Sequence, residues 1–331
     1  MLRRRLLGAI LGAPAIVHAQ AGAHAQPGAA PAWSPQRPIR FVVPFPAGGG
    51  TDVAARILAE RLTEALGQPA VVENRTGSGG NIGVENVVRS PADGGAILMG
   101  TTGTLTINPH LYANLGFDPA KDLAPVSLAF ATDHVLIVNP GVPARTAAEF
   151  LALAKTQPGR LGFGSAGAGS STHMVAELFR LSAGIELLHV PYRGSAPALN
   201  DTVAGNVQLM LDQVASALPM IQAGRVRALA VTGPKRNALL PDVPTVAEIG
   251  LPGAESTSWG AVMAPAGTPE PVVARLNTVL REASALPAVR ERMAQAGADA
   301  ASSSPAELAA LIARETERWG RVVREARVSV G

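Results

Sequence analysis

The chain has no cysteine. That excludes disulfides, thiolate nucleophiles and thiolate metal sites, and leaves the compartment open. Charge is sparse at 16% of residues, and aromatics are scarcer still at 4%. The formal excess of 28 basic over 25 acidic residues lies wholly in Arg3, Arg4 and Arg5. Without them 25 basic residues face 25 acidic ones, so the basic pI is no argument for nucleic-acid binding. No segment after the N-terminus is apolar and long enough to span a bilayer. Catalytic signatures are missing too: no G-x-S-x-G elbow, no G-x-x-x-x-G-K-[ST] loop and no H-E-x-x-H. The six histidines show no metal-ligand spacing, so neither a metal nor a cofactor is expected.

What is present begins with an export signal. Arg3-Arg4-Arg5 precedes an apolar stretch over 6–17, and small-x-small sites follow at Val17-His18-Ala19 and Ala23-His24-Ala25. This is the layout of a secretory signal peptide over 1–25. The apolar part is about 12 residues against the ~20 of a spanning helix. The arginine run admits twin-arginine export, although the polar residue usual before the pair is missing. The alternative is a buried N-terminal helix. Residues 26–36, rich in Pro, Gly and Ala, read as a flexible leader.

From 37 the chain alternates. Strands are expected at 39–44, 70–73 and 96–101, with helices from Thr51 to Gly67 and over 81–90 between them. That is the parallel, doubly wound pattern. A strand at 135–138 opens a second block. Its helices are expected at 147–155, from the end of the 164–171 loop through 183, at 195–204 and at 214–223, and its strands at 161–163, 187–190, 207–211 and 226–231. Thr146 and Glu149 form a capping box there. A strand at 259–264 and helices at 269–285, 287–296 and 305–326 follow. This C-terminal part is expected to pack on the first unit, making the middle block an insertion joined by a two-crossover hinge. The expected domains are 37–138 with 233–331, and 139–232.

Three loops sit at carboxyl ends of strands, where open α/β sheets bind ligands. The first is Pro44-Phe45-Pro46-Ala47-Gly48-Gly49-Gly50-Thr51-Asp52. Its glycines allow close backbone approach, and the following helix start has free N–H groups for a carboxylate or phosphate. It reads equally as a tight turn with Thr51 or Asp52 as the cap. The second, Gly162 to His173, matches G-x-G-x-x-G at 162, 164 and 167, with Glu186 about twenty residues on, which keeps a nicotinamide-dependent oxidoreductase open. Its Ser165, Ser170, Ser171 and Thr172 can contact an anion or cap the helix. His173 has no evident acid partner and reads as a helix-start or pocket residue. The third loop is Thr101-Thr102-Gly103-Thr104. Asp212 ends a strand, as helix cap or pocket acceptor.

Several segments together resemble the extracytoplasmic solute-binding proteins of tripartite tricarboxylate transporters, the Bug or TctC family. They are the first loop; Val72 to Gly83 (Val-Glu-Asn-Arg-Thr-Gly-Ser-Gly-Gly-Asn-Ile-Gly); Gly164 to His173; Val190-Pro191-Tyr192-Arg193-Gly194-Ser195; Gly224 to Thr232; and Leu240-Pro241-Asp242-Val243-Pro244-Thr245. Their order and spacing run from about 37 to the C-terminus. The position after Arg75 is often proline in the family and is Thr76 here. The resemblance implies a two-domain α/β periplasmic binding protein, type II-like, with mixed doubly wound sheets, a hinge and an interlobe cleft. It implies a small organic carboxylate or amino acid as ligand and membrane permease subunits as partners, or a membrane kinase if the protein is a sensor. By that likeness the contacts are Phe45, Gly49, Asp52, Ser165, Ser170, Thr172 and His173, with Thr101, Thr104 and Asp212 after them. Asp52 and Asp212 are the two acids available to pair with a ligand amine.

Overall fold

Ile39–Val43 forms β1, and all of it except Arg40 is buried, as an apolar, β-branched run predicts for a central strand. The computed structural model describes residues 33–330; the expected signal peptide and most of the expected leader lie outside them. Beyond β1 the first unit follows the expected alternation: α1 (Gly50–Leu66), β2 (Ala70–Asn74), α2 (Asn81–Val88) and β3 (Ala96–Thr101). Gly67 closes α1 in the left-handed conformation at φ 70°, donating its amide to the Thr63 carbonyl. A wide helical turn over Gly103–Ile107, then α3 (Asn108–Leu111) and α4 (Pro119–Asp122), lead into β4 (Leu123–Val138).

The second unit comprises α5 (Ala147–Thr156), β5 (Gly162–Ser165), α6 (Ser171–Ala183), β6 (Leu188–Pro191), α7 (Ser195–Ala204), β7 (Leu209–Gln213), α8 (Val214–Gln222) and β8 (Arg227–Val231). The chain returns through β9 (Thr257–Pro265), α9 (Glu270–Ala285), α10 (Pro287–Gln295), β10 (Asp299–Ala300) and α11 (Pro305–Ala326).

The strands join in the order β2-β1-β3-β9-β4-β7-β5-β6, with β8 and β10 also paired to β4. Each half is mixed. β1 is parallel to β2 and β3, while β3 is antiparallel to β9. β5 is parallel to β6 and β7. β4 belongs to both halves. From Leu123 to Asp133 it pairs with β9; from His134 to Val138 it pairs with β7 and β8. The sequence reading found only the last four residues of this 16-residue strand. Pro125 and two register shifts, at Pro125/Ser127 and Leu128/Phe130, interrupt the alternation that would have revealed the rest.

The first half packs α1 and α9 on one sheet face, through Leu58, Leu62, Leu276 and Leu280 against Phe41 and Val262. The other face holds Val42 and Leu98 against Leu308 and Ile312 of α11. The rest of α11 crosses over: Trp319, Val322 and Val323 share a core with Met174 and Phe179 of α6. The last helix therefore packs on both halves, where the sequence assigned it to the first alone.

Candidate functional site

A cavity of about 420 Å³ lies between the halves, a size suited to a small ligand. From the first half it receives Phe45 and Thr51 of the β1–α1 turn, Thr101 to Gly103 after β3, and Asn108, Leu111 and Tyr112 of the α3 region. Phe130 and Thr132 of β4 and Ser258 and Trp259 of β9 add a wall. The second half contributes Ala166, Ala168, Gly169, Ser170, Ser171 and Gln213. No Asp, Glu, Lys, Arg or His is among the lining residues.

Two helix N-termini open on this uncharged space. In α1 the cap residue Gly49 supplies no side chain, and the amides of Gly50, Thr51 and Asp52 donate to no described residue. In α6 the Ser170 hydroxyl accepts the His173 amide, while the amides of Ala168, Ser171 and Thr172 stay undonated among the described residues. Free amides at the positive end of a helix favour an anion without any basic side chain.

Of the ten residues expected to touch ligand, Phe45, Thr101 and Ser170 line the cavity. The other seven do not, and in all of these but Gly49 local partners engage the polar side chain. Gly49 is the α1 cap residue, one step outside the helix. Asp52 is buried, and its carboxylate accepts the Gly48 amide at 2.9 Å, the Arg56 guanidinium at 2.9 and 3.0 Å and the Asn74 amide at 2.8 Å. Burial pushes its pKa up, but these bonds outweigh that and hold it below the ordinary value. The Thr104 hydroxyl accepts the Thr101 amide at 2.9 Å. The Thr172 hydroxyl accepts the Ala166 amide at 2.8 Å. His173 Nδ1 accepts the Gly169 amide at 3.0 Å. Asp212 is buried and accepts the Ser216 hydroxyl and the Gln213 amide; burial raises its pKa. Short polar side chains at strand-to-helix turns find such local partners readily.

Ser165 is fully buried, with its Oγ 2.6 Å from Nε2 of His189. His189 stacks on His173 with ring centroids 3.7 Å apart, and on Phe163 at 4.8 Å. Burial and the neighbouring His173 lower the His189 pKa to about 4, so it is neutral near pH 7. The Ser165–His189 pair resembles a nucleophile and base only in distance. Neither residue lines the cavity, and the pair braces the second turn from behind.

The sequence reading missed Asn108, Tyr112, Phe130, Thr132, Gln213, Ser258 and Trp259. One signal was available: the chain has only 7 Phe, 3 Trp and 2 Tyr, so each ring was worth weighing as ligand surface. Glycines seat two of these rings. A Cβ at Gly260, directly across from Phe130, would fall 2.1 Å from the ring. A Cβ at Gly80 would lie 3.3 Å from the Phe45 ring and 2.7 Å from Thr104 Cγ2.

The model of the tripartite tricarboxylate transporter family receptor, TctC, matches residues 54–328. The chain belongs to the TctC family. Among relatives, a protein from the tcbD–tcbE intergenic region of a Pseudomonas strain is 46% identical over 296 residues, 89% of this chain and 88% of that one. BugT of Bordetella pertussis is 39% identical, over 88% of this chain and 90% of its own. Among solved structures, an R. palustris protein with adipate superposes with TM-score 0.79 at 37% identity, covering 89% of this chain and 99% of that one. MatC from Rhodopseudomonas palustris, with bound malate, gives 0.75 at 34%, covering 87% and 99%. The TctC chain has the two-lobed α/β fold of periplasmic binding proteins, a mixed sheet in each half. The TctC match begins just past the first turn and takes in the whole of the second. Among the described residues no helix is long and apolar enough to cross a membrane.

Proposed function

We propose that this TctC protein is a periplasmic receptor that captures a small organic carboxylate in the cavity and delivers it to a membrane permease, without chemistry on the ligand. The observation that carries the reading is the pair of helix N-termini, α1 and α6, that bring unpaired amides to one cavity free of charged side chains. Each supplies roughly half a positive charge at the helix end. Relatives solved with adipate and malate support a carboxylate. The proposed lobes are 37–138 with 233–331, and 139–232, with residues 134–138 of β4 pairing into the sheet of the second. A carboxylate held from both sides favours the closed arrangement, because only closure brings both turns to it.

The test is a melting-temperature screen of the purified protein with mono-, di- and tricarboxylates, sugars and cationic solutes. A carboxylate at a hundredfold over its Kd stabilises by ~2.7 kcal/mol, a rise of several degrees. If sugars or cations raise the melting temperature and no carboxylate does, the reading fails.

A further inference from the structure

His173 does not line the cavity, yet it holds a residue that does. Its Nδ1 accepts the amide of Gly169, a lining residue, at 3.0 Å. Only a bare nitrogen can accept, so in the neutral ring the proton sits on Nε2. On that side lies Glu177, with Oε1 3.7 Å from Nε2. This is longer than a hydrogen bond, but a carboxylate charge at that range favours a proton on the nitrogen facing it. Glu177 is buried, and its Oε2 accepts from Arg180 Nε at 2.8 Å. Burial pushes its pKa up, while His173 and Arg180 outweigh burial and hold it below the ordinary value. Residues 173, 177 and 180 share one face of α6 at i, i+4 and i+7. The His173 ring also lies flat on His189, ring centroids 3.7 Å apart, so it has little room to turn.

The Gly169 bond fixes more than one atom. The N–H and C=O of a trans peptide point opposite ways, so the Ala168 carbonyl points away from His173. That carbonyl accepts from no described residue. Gly169 sits at φ 75°, a conformation in which glycine is at ease and from which its peptide can turn over. A Cβ there would fall 2.6 Å from Leu111 Cδ1, so this peptide also lies where the two halves meet.

We propose that Glu177 is a positioning residue for ligand capture: it fixes the His173 tautomer, and through it the direction of the 168–169 peptide at the cavity wall. It touches no ligand itself. The proposal rests on the receptor reading above and adds the part that keeps its second turn in shape.

Long-range proton–nitrogen spectra of the ring at pH 8, on ligand-free wild type and Glu177→Gln, give the first test. The wild type should show Nδ1 bare and Nε2 protonated. In Glu177→Gln the amide oxygen stays with Arg180, which can only donate, and the NH2 group turns to Nε2. The proton should then move to Nδ1, and the Gly169 amide should lose protection from hydrogen exchange. Calorimetry with succinate, malate and adipate gives the second test. For any of these that binds the wild type, Glu177→Gln should raise Kd about fivefold or more. In a His173→Asn background, where Oδ1 can take the Gly169 amide whatever Glu177 does, the same change should alter Kd by less than about twofold. A proton on Nδ1 in the wild type, an unchanged tautomer in Glu177→Gln, or an equal loss of affinity in both backgrounds overturns the proposal. Should none of the three acids bind the wild type, the carboxylate reading fails instead, and the tautomer comparison alone decides whether Glu177 sets the turn.

Discussion

The two turns that face the cavity do the same geometric job with different materials. The turn before α1 is held by one charged hub, Asp52, which gathers Gly48, Arg56 and Asn74. The turn before α6 is held by several separate bonds instead of one hub: Thr172 on Ala166, His173 on Gly169, Ser170 on His173 and Ser165 against His189, with the buried Glu177, paired to Arg180, 3.7 Å from His173. In both, the side chains engage the loop and leave backbone amides for the cavity. The contrast shows that two opposed turns can present one kind of anion site while responding differently to acid and to mutation.

Acid should separate them most strongly. His134, fully buried on β4 with neither ring nitrogen bonded, and His189 behind the second turn both have pKa values lowered by burial, each to about 4. Their unfolded forms protonate near the ordinary value of 6.5, so the neutral forms favour folding above that pH. This contribution is lost as pH falls from about 6.5 toward 4. For His134 the ceiling is about 3 kcal/mol. Asp52 runs the other way. Its folded pKa lies below 3.8, so its contribution persists through this window and fades only at lower pH. Hydrogen exchange compared at pH 7 and 4.5 should therefore show residues 165–173 losing protection before 48–52, and His134→Leu should flatten the pH dependence of stability. Loss from 48–52 first would break the comparison.

Asp52→Ala comes next. Removing the hub leaves Gly48, Asn74 and Arg56 without their common acceptor and should cost about 2–3 kcal/mol in urea unfolding. Carboxylate affinity should fall with it, because the α1 amides lose their fixed orientation. The smallest effect is expected from Thr172→Val, which deletes one acceptor of a redundant set. About 1 kcal/mol of stability and a severalfold loss of affinity should follow, read by the same unfolding and by calorimetry. If Thr172→Val costs more than Asp52→Ala, the second turn also has a single hub.

Much of this was legible in the sequence because β-branched runs, helical spacing and glycine stops agree with the tertiary structure from 39 to 101 and from 147 to 231. The turns themselves were visible as glycine-rich stretches at strand ends. Which atoms face the cavity was not. Asp52, Ser165, Thr172 and His173 have the residue types of contacts, yet short polar groups at a strand-to-helix turn satisfy their own backbone first. Asn108, Tyr112 and Gln213 sit in segments with no distinctive composition, and only the fold brings them to the cavity. The long β4 was hidden by Pro125 and its register shifts.

That strand has a final consequence. Residues 134–138 form the middle rail of the second half, with β7 on one flank and β8 on the other. A fragment cut at the sequence-derived boundary, 139–232, would lack that rail and bare two unpaired strand edges, an invitation to stick to its own copies. The inserted lobe thus borrows its keystone from the chain that precedes it, and the two lobes should be inherited, expressed and evolved as one piece.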